Sequence, residues 1–508
     1  RRAGGCGLRG RLQAGERQGR RRLSAWQKQQ TKHRRTASCR AAWLFGPTAF
    51  YLLWILVSLV WGGSDSRYCL ASAECLLRGD LSPWKAFPFQ YGSPDAPAGY
   101  AYTYPSQNGL ILYMVPFAFL FGDAAPYVMQ ACNVGFFFLG VSSVCRMMRR
   151  GWDGRPDGAF RSWRFSALGM LWFLPFGFYV LFVYGTMPGF GLSCLAMERA
   201  QRYAAGDAGA GTRADGGSGA GRLPDLAAAV LSAAAACLLK SNYLIVLVGI
   251  VIYLAVCAFA RRRPALLAAA ALAAAVTVAG SRGVTFLLSE AAGQPAGGIP
   301  MTAWAEMGLQ EGSRGPGWYN GYHVGVFLEQ GGDAARTRAA VAEDLRKTLA
   351  GMAADPAKTA DFFLRKTQSI WAEPTFQSLW IQEVGGKSAF LAALSPSLLK
   401  EGGVLNFCYL AAANLVQTLV FAGAFFWLAL GGREITWERL LPGMVFLGGF
   451  LFHLVWEAKG QYTVCYFVLL IPYACAGIRA GRRAVQAALE KREEGKAVCV
   501  KEENSACA

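Results

Sequence analysis

Eleven apolar runs dictate what this chain can fold into: 41–62, 107–121, 126–147, 165–184, 187–203, 225–239, 241–260, 265–285, 403–430, 441–456 and 461–480. A helix crosses a hydrocarbon core of roughly 30 Å with about 20 predominantly apolar residues. In lipid, every backbone N–H and C=O must find its partner inside the helix itself. With 54% hydrophobic and 16% charged residues in a chain of 508, the fold class is an all-α polytopic membrane protein.

Charge assigns the sides. Residues 1–40 carry thirteen Lys and Arg against the single acid Glu16. Short loops rich in Lys and Arg stay cytoplasmic, so the same side takes 146–164, 261–264, 431–439 and the segment after 480. These assignments agree only if one run before residue 146 fails to cross. The 107–121 run is short and interrupted by Pro116, so it is expected to be an external juxtamembrane or re-entrant helix. That leaves ten spans in the cell membrane with both termini cytoplasmic.

The expected organisation has five parts: a basic, disordered cytoplasmic tail (1–40), an N-terminal transmembrane catalytic module (41–285) with an external loop (63–125), an external capping segment (286–402), C-terminal transmembrane helices (403–480) and a cytoplasmic tail (481–508). The basic tail has no apolar face or aromatic rhythm, which points to anionic lipid and away from nucleic acid. The 41–62 run is too long for a signal peptide and no A-x-A site follows it. Gly/Ala-rich 204–224 reads as a disordered inner linker, and Ala-rich 227–236 and 265–275 read as closely packed spans. Most of the fourteen cysteines fall in apolar helices. Cys69 and Cys75, six apart on a helix, point in different directions, so no structural disulfide is expected. Within the capping segment an amphipathic stretch should form two helices divided at Pro356.

Four polar stretches fall on the external side: GSDSRYCLASAECLLRGD from Gly63, YAYTYPSQNGL from Tyr100, CLLKSNYL from Cys237 and HLVWEAKGQYTV from His453. Each has an ordinary reading. Asp65 can be a solvated helix end, Lys240 a snorkelling lysine, His453 a packing residue, and Tyr100, Tyr102 and Tyr104 an interfacial belt. Together, acids, amides and cations converging at membrane depth are costly unless used. No zinc spacing, phosphate-binding glycine loop or G-x-S-x-G is present.

The order of these motifs resembles the GT-C superfamily of polyprenyl-phosphate-sugar glycosyltransferases, in a bacterial branch similar to protein O-mannosyltransferases and the aminoarabinose transferase. The resemblance rests on an acid after the first span, A-x-x-L-L-x-G-D, Y-x-Y-P-x-Q-N-G, LLKSNYL, GWYNGY (317–322), Pro356 with Phe362, Phe363 and Lys366, and WEAKGQY (456–462). It implies transfer, with inversion, of a sugar from a polyprenyl-phosphate donor to the hydroxyl of a cell-envelope acceptor. Asp65 would be the general base. Lys240 and Lys459 would face the phosphate, and Tyr104, Gln107, Asn108, Asn242 and Glu457 would line the substrate pocket. Where some relatives carry paired acids this chain has Ser-Asp-Ser, which speaks against Asp80 as a second acid; no cofactor is expected, and a divalent metal is not indicated. The competing reading is a transporter or flippase of a lipid-linked sugar, a class marked by inverted repeats and helices broken at the bilayer midplane.

Overall fold

The computed structural model describes residues 45–86, 89, 96–150, 159–206, 223–384, 388–431 and 435–506. The basic tail and the greater part of the 204–224 linker lie outside the described residues, as does the middle of the 146–164 loop. The chain separates into two compact units, Arg1–Leu53 and Trp54–Ala508. The first is described from residue 45, where the Phe45–Ser58 helix starts; everything below concerns the second.

Among the described residues the structure is helical apart from a two-stranded hairpin, Glu311–Gly312 against Gly315–Pro316. Among the described residues, six helical stretches are long and apolar enough to cross a membrane: Pro105–Arg149, Ser241–Ala260, Ala265–Ala291, Val404–Leu430, Trp437–Val455 and Gly460–Glu493. A bent pair, Trp163–Leu171 with Leu174–Leu181, makes a seventh. Other expected spans form helices that fall short in length or apolarity. Phe45–Ser58 and Leu223–Leu239 are apolar but shorter, and the helix Thr186–Ala205 carries Glu198, Arg199 and Arg202.

Two local features depart from the sequence reading. The 165–184 run is expected as one straight span, but it bends by 53°, where Pro175 opens the second helix and cannot continue the hydrogen-bond ladder of the first. The Asn108–Phe121 helix is not isolated: Gly122–Ala124 joins it to Ala125–Arg150, and together they form one apolar stretch. Alone, its fourteen residues span about 21 Å at 1.5 Å per residue, short of the hydrocarbon thickness.

Two antiparallel helices define the ends of the bundle. At one end, Thr186, the first residue of Thr186–Ala205, meets Lys240, which follows Leu223–Leu239. At the other, Arg199 and Arg202 pair with Asp225 at 2.8 and 3.2 Å, and Arg146 lies 3.4 Å from buried Glu198. Arg261 at that end pairs with Glu438 at 2.5 Å. Ion pairs thus hold the second end together.

Near Lys240 the connecting segments share one core. Tyr68, Trp84, Tyr100 and Tyr104 from residues 64–104 pack in the same cluster as Ile299, Ala303, Val326, Phe327 and Val341 from the capping segment. The backbone agrees, with Ile299 N donating to Thr103 O at 3.1 Å. The amphipathic stretch forms two helices, Ala334–Ala354 and Pro356–Trp371, divided at Asp355, whose side chain caps the second by accepting from Lys358 N.

Candidate active site

The Ser64–Leu77 helix starts after Gly63 and places Asp65 in its first turn, where the helix dipole favours an anion. That alone would make Asp65 an ordinary helix end. Its neighbours add more. The Tyr100 hydroxyl donates to Asp65 Oδ1 at 3.2 Å, and the Tyr100 ring stacks on Tyr68, one turn along the same helix. Gly63 lies against Trp380 so closely that a Cβ there would stand 2.4 Å from the indole. Cys69 and Cys75, on this helix, are both free thiols.

Lys240 is buried, and its ammonium donates to Thr186 Oγ1 at 2.9 Å. It also lies over two rings, 5.4 Å from the Tyr184 centroid and 5.2 Å from that of Tyr462. Lys459 shares the Tyr462 ring at 5.6 Å and stands 5.5 Å from Trp380. Buried Glu457 accepts from the Tyr462 hydroxyl at 3.3 Å. Asp65 and Glu457, far apart in sequence, both act electrostatically on the phenols of Tyr184, Tyr319 and Tyr462. The structure therefore brings Asp65, Lys240, Glu457 and Lys459 to one end of the bundle around Tyr184 and Tyr462.

Burial sets the electrostatics of this cluster. It pushes the Lys240 amine down to about 8, and the nearby Lys459 charge acts in the same direction. It pushes the Glu457 carboxyl up, against the pull of Lys459 and Tyr462. Among the described residues, neither lysine has a carboxylate within ion-pair distance. Two cations and two carboxylates held together at membrane depth are costly to desolvate.

The other sequence candidates are placed as follows. Gln107 donates to the Tyr184 hydroxyl and so adjoins the cluster. Tyr104 is buried among aromatic rings, 6.4 Å from both Trp304 and His323. Asn108 is engaged in packing: it accepts from Trp84 Nε1 at 2.9 Å and reaches Thr285 at 3.5 Å. Asn242 is half-buried, with Nδ2 lacking a protein partner and its backbone carbonyl accepting from Tyr466 at 2.8 Å. Asp80 sits in an exposed turn, where the Ser82 backbone N–H holds its carboxyl below the ordinary value. His453 is buried with its ring stacked 6.0 Å from Tyr462. Among the described residues, no three His, Cys, Asp or Glu side chains are grouped to hold a metal ion.

Sequence reasoning missed Tyr184, Thr186, Tyr100 and Trp380 as parts of the site. Tyr184 sits just beyond an unforeseen helix break, and Trp380 comes from a connecting segment with no pattern of its own. Tyr462 stood inside the quoted WEAKGQY, yet only folding shows that its ring joins both lysines and its hydroxyl the acid.

The class defined so far is a helical multi-pass membrane protein with a cluster of two lysines and two carboxylates at one end of its bundle. No protein-family model matches the chain, and no curated protein does. Among solved structures it is similar to the archaeal oligosaccharyltransferase AglB from Archaeoglobus fulgidus in complex with an inhibitory peptide and a dolichol-phosphate, with 12% identity and a TM-score of 0.43 over 89% of this chain and 52% of that one. The apo form of the same enzyme gives equal values. ArnT from Cupriavidus metallidurans in the apo state is similar at 16% identity and a TM-score of 0.33, over 87% of this chain and 78% of that one. This chain spans about half the length of the oligosaccharyltransferase, and at such identities and scores the likeness extends to no single residue.

Proposed function

We propose that the protein is an integral membrane glycosyltransferase that moves a sugar from a polyprenyl-phosphate donor to an acceptor hydroxyl of the cell envelope, at the outer face of the membrane and with inversion. The observation that carries this reading is the joint placement of two unpaired lysines and two carboxylates at one end of a membrane bundle. A lipid phosphate arriving laterally would meet Lys240 and Lys459, and its sugar would lie toward Asp65 and Glu457.

The chemistry needs little else. The acceptor oxygen attacks the anomeric carbon from the face opposite the phosphate while Asp65 takes the hydroxyl proton. As the new C–O bond forms, the bond from the anomeric carbon to the phosphate oxygen breaks, and its electron pair leaves on the phosphate. That group departs as an anion, so cations serve it better than a proton donor. The Tyr100 hydroxyl, donating to Asp65 Oδ1, holds the carboxylate in place.

The test compares cell-envelope glycans by mass spectrometry with and without the gene, followed by transfer assays with purified protein and defined polyprenyl-phosphate hexoses. Loss of a sugar modification that wild-type protein restores and an Asp65→Asn variant does not supports the reading. Movement of the donor across vesicles without any transfer would favour a flippase.

A further inference from the structure

A third lysine makes an unusual set of contacts. Lys366, on the Pro356–Trp371 helix, is 0% exposed. Its ammonium donates to three backbone carbonyls: Gly308 O at 2.5 Å, Trp456 O at 2.8 Å and Leu454 O at 2.9 Å. The first belongs to the end of the Met301–Gly308 helix, and the others flank the end of Trp437–Val455. Carbonyls at helix ends lack intrahelical partners and carry partial negative charge, so a cation suits them. Three N–H donors meet three acceptors, which a neutral side chain cannot match.

The groove that admits this ammonium is built from glycines. A Cβ at Gly317 would stand 2.5 Å from Lys366 Cε, and one at Gly308 would meet the carbonyl of Val455 at 2.4 Å. Beside it, Ala458 N donates to Gly317 O at 2.7 Å, and Gly460 N donates to the Gln377 side chain at 3.2 Å. The stretch from Leu454 to Gly460 is therefore tied at successive points to the capping segment. Glu457 and Lys459 sit within it.

We infer that Lys366 is a positioning residue: by clamping the Leu454–Gly460 turn to the capping segment, it sets the placement of Glu457 and Lys459 toward the substrate. What the turn is used for rests on the reading under Proposed function; the clamp itself does not. Lys366 also acts on Glu457 through space, favouring its ionised form.

The test uses full-length protein in nanodiscs with Lys366→Met, which keeps the length and removes the charge, and Lys366→Arg, which keeps the charge. Hydrogen-exchange mass spectrometry of peptides covering 456–462 needs no activity. In Lys366→Met those amides should exchange at least about tenfold faster, with the membrane helices unchanged. In transfer assays kcat should fall at least about tenfold with donor KM altered less than threefold, and the acid limb of the pH profile should move upward as Glu457 loses a neighbouring cation. Lys366→Arg should recover part of both. Wild-type exchange in Lys366→Met would overturn the inference. So would a loss of activity that only tracks the amount of folded protein. Faster exchange in a protein that transfers no sugar from any donor tried would leave the clamp standing and overturn the glycosyltransferase reading.

Discussion

Asp65 and Lys240 carry the sharpest expectations at the scale of single residues. Asp65→Asn keeps the side chain's size and its contact with Tyr100 while removing its basicity. Loss of a positioned general base typically costs 10² to 10⁴ in rate, so transfer should fall at least about a hundredfold while the variant still binds donor. Turnover close to wild type would return Asp65 to the status of a helix end and direct attention to Glu457. For Lys240, burial holds the amine at about 8, so its charge is present below that pH and is lost as pH rises through it. Donor kcat/KM should therefore decline above pH 8, whereas Lys240→Arg should extend the plateau, because a guanidinium stays charged there. An unchanged alkaline limb in the arginine variant would show that another group governs it.

Among the elements, the contact between the start of the Ser64–Leu77 helix and Trp380 is the one to perturb. Trp380 touches Gly63, lies under Lys459 and meets Phe182 edge-on at 5.7 Å, so one ring spans three segments of the site. Gly63→Ala would force that indole away. Overpacking of this kind costs about 1–3 kcal/mol, so the melting temperature in detergent should drop by several degrees, and activity should fall because Asp65 and Lys459 both shift. Trp380→Leu in the Gly63→Ala background should relieve the clash and restore stability without restoring activity. The helix itself was legible in the sequence, where Tyr68, Ala71, Cys75 and Leu76 recur at near-helical spacing and predict a short interfacial helix; Tyr68 and Cys75 are buried, Ala71 and Leu76 half-buried. Its partner Trp380 was not legible, because contact between residues 63 and 380 depends on how the capping segment folds back.

For the whole molecule, the open question is which end faces out. We expect the Lys240 end outside and the Arg199–Asp225 end inside, following the positive-inside rule. Reporter fusions or cysteine labelling after Arg263 and after Gly431 should report the cytoplasm, and labelling near Gly298 the exterior. A label after Arg263 on the outside would invert the assignment and remove an outer-leaflet donor from consideration. The ion pairs at the inner end add an independent expectation. Replacing Asp225 with Asn removes the carboxylate beside Arg202 and leaves Arg199 with Glu198 alone in a half-buried setting, which should lower stability while leaving donor KM unchanged.

Sequence alone determined the fold class, an all-α polytopic membrane protein, because hydrophobic length is a property of contiguous residues. It also located the division of the amphipathic stretch at Asp355-Pro356, since proline and an aspartate cap act within a few residues. It did not reveal the bend before Pro175, the joining of 107–121 to the following helix, or the three-carbonyl clamp of Lys366. Nor did it show that Tyr184 and Tyr462 tie Lys240 to Lys459 and Glu457. The clamp and the ring contacts depend on side chains brought together across tens to hundreds of residues, and only tertiary packing on the helix ends decides which of them meet, whereas the bend and the joint are local backbone choices that hydrophobic length does not register.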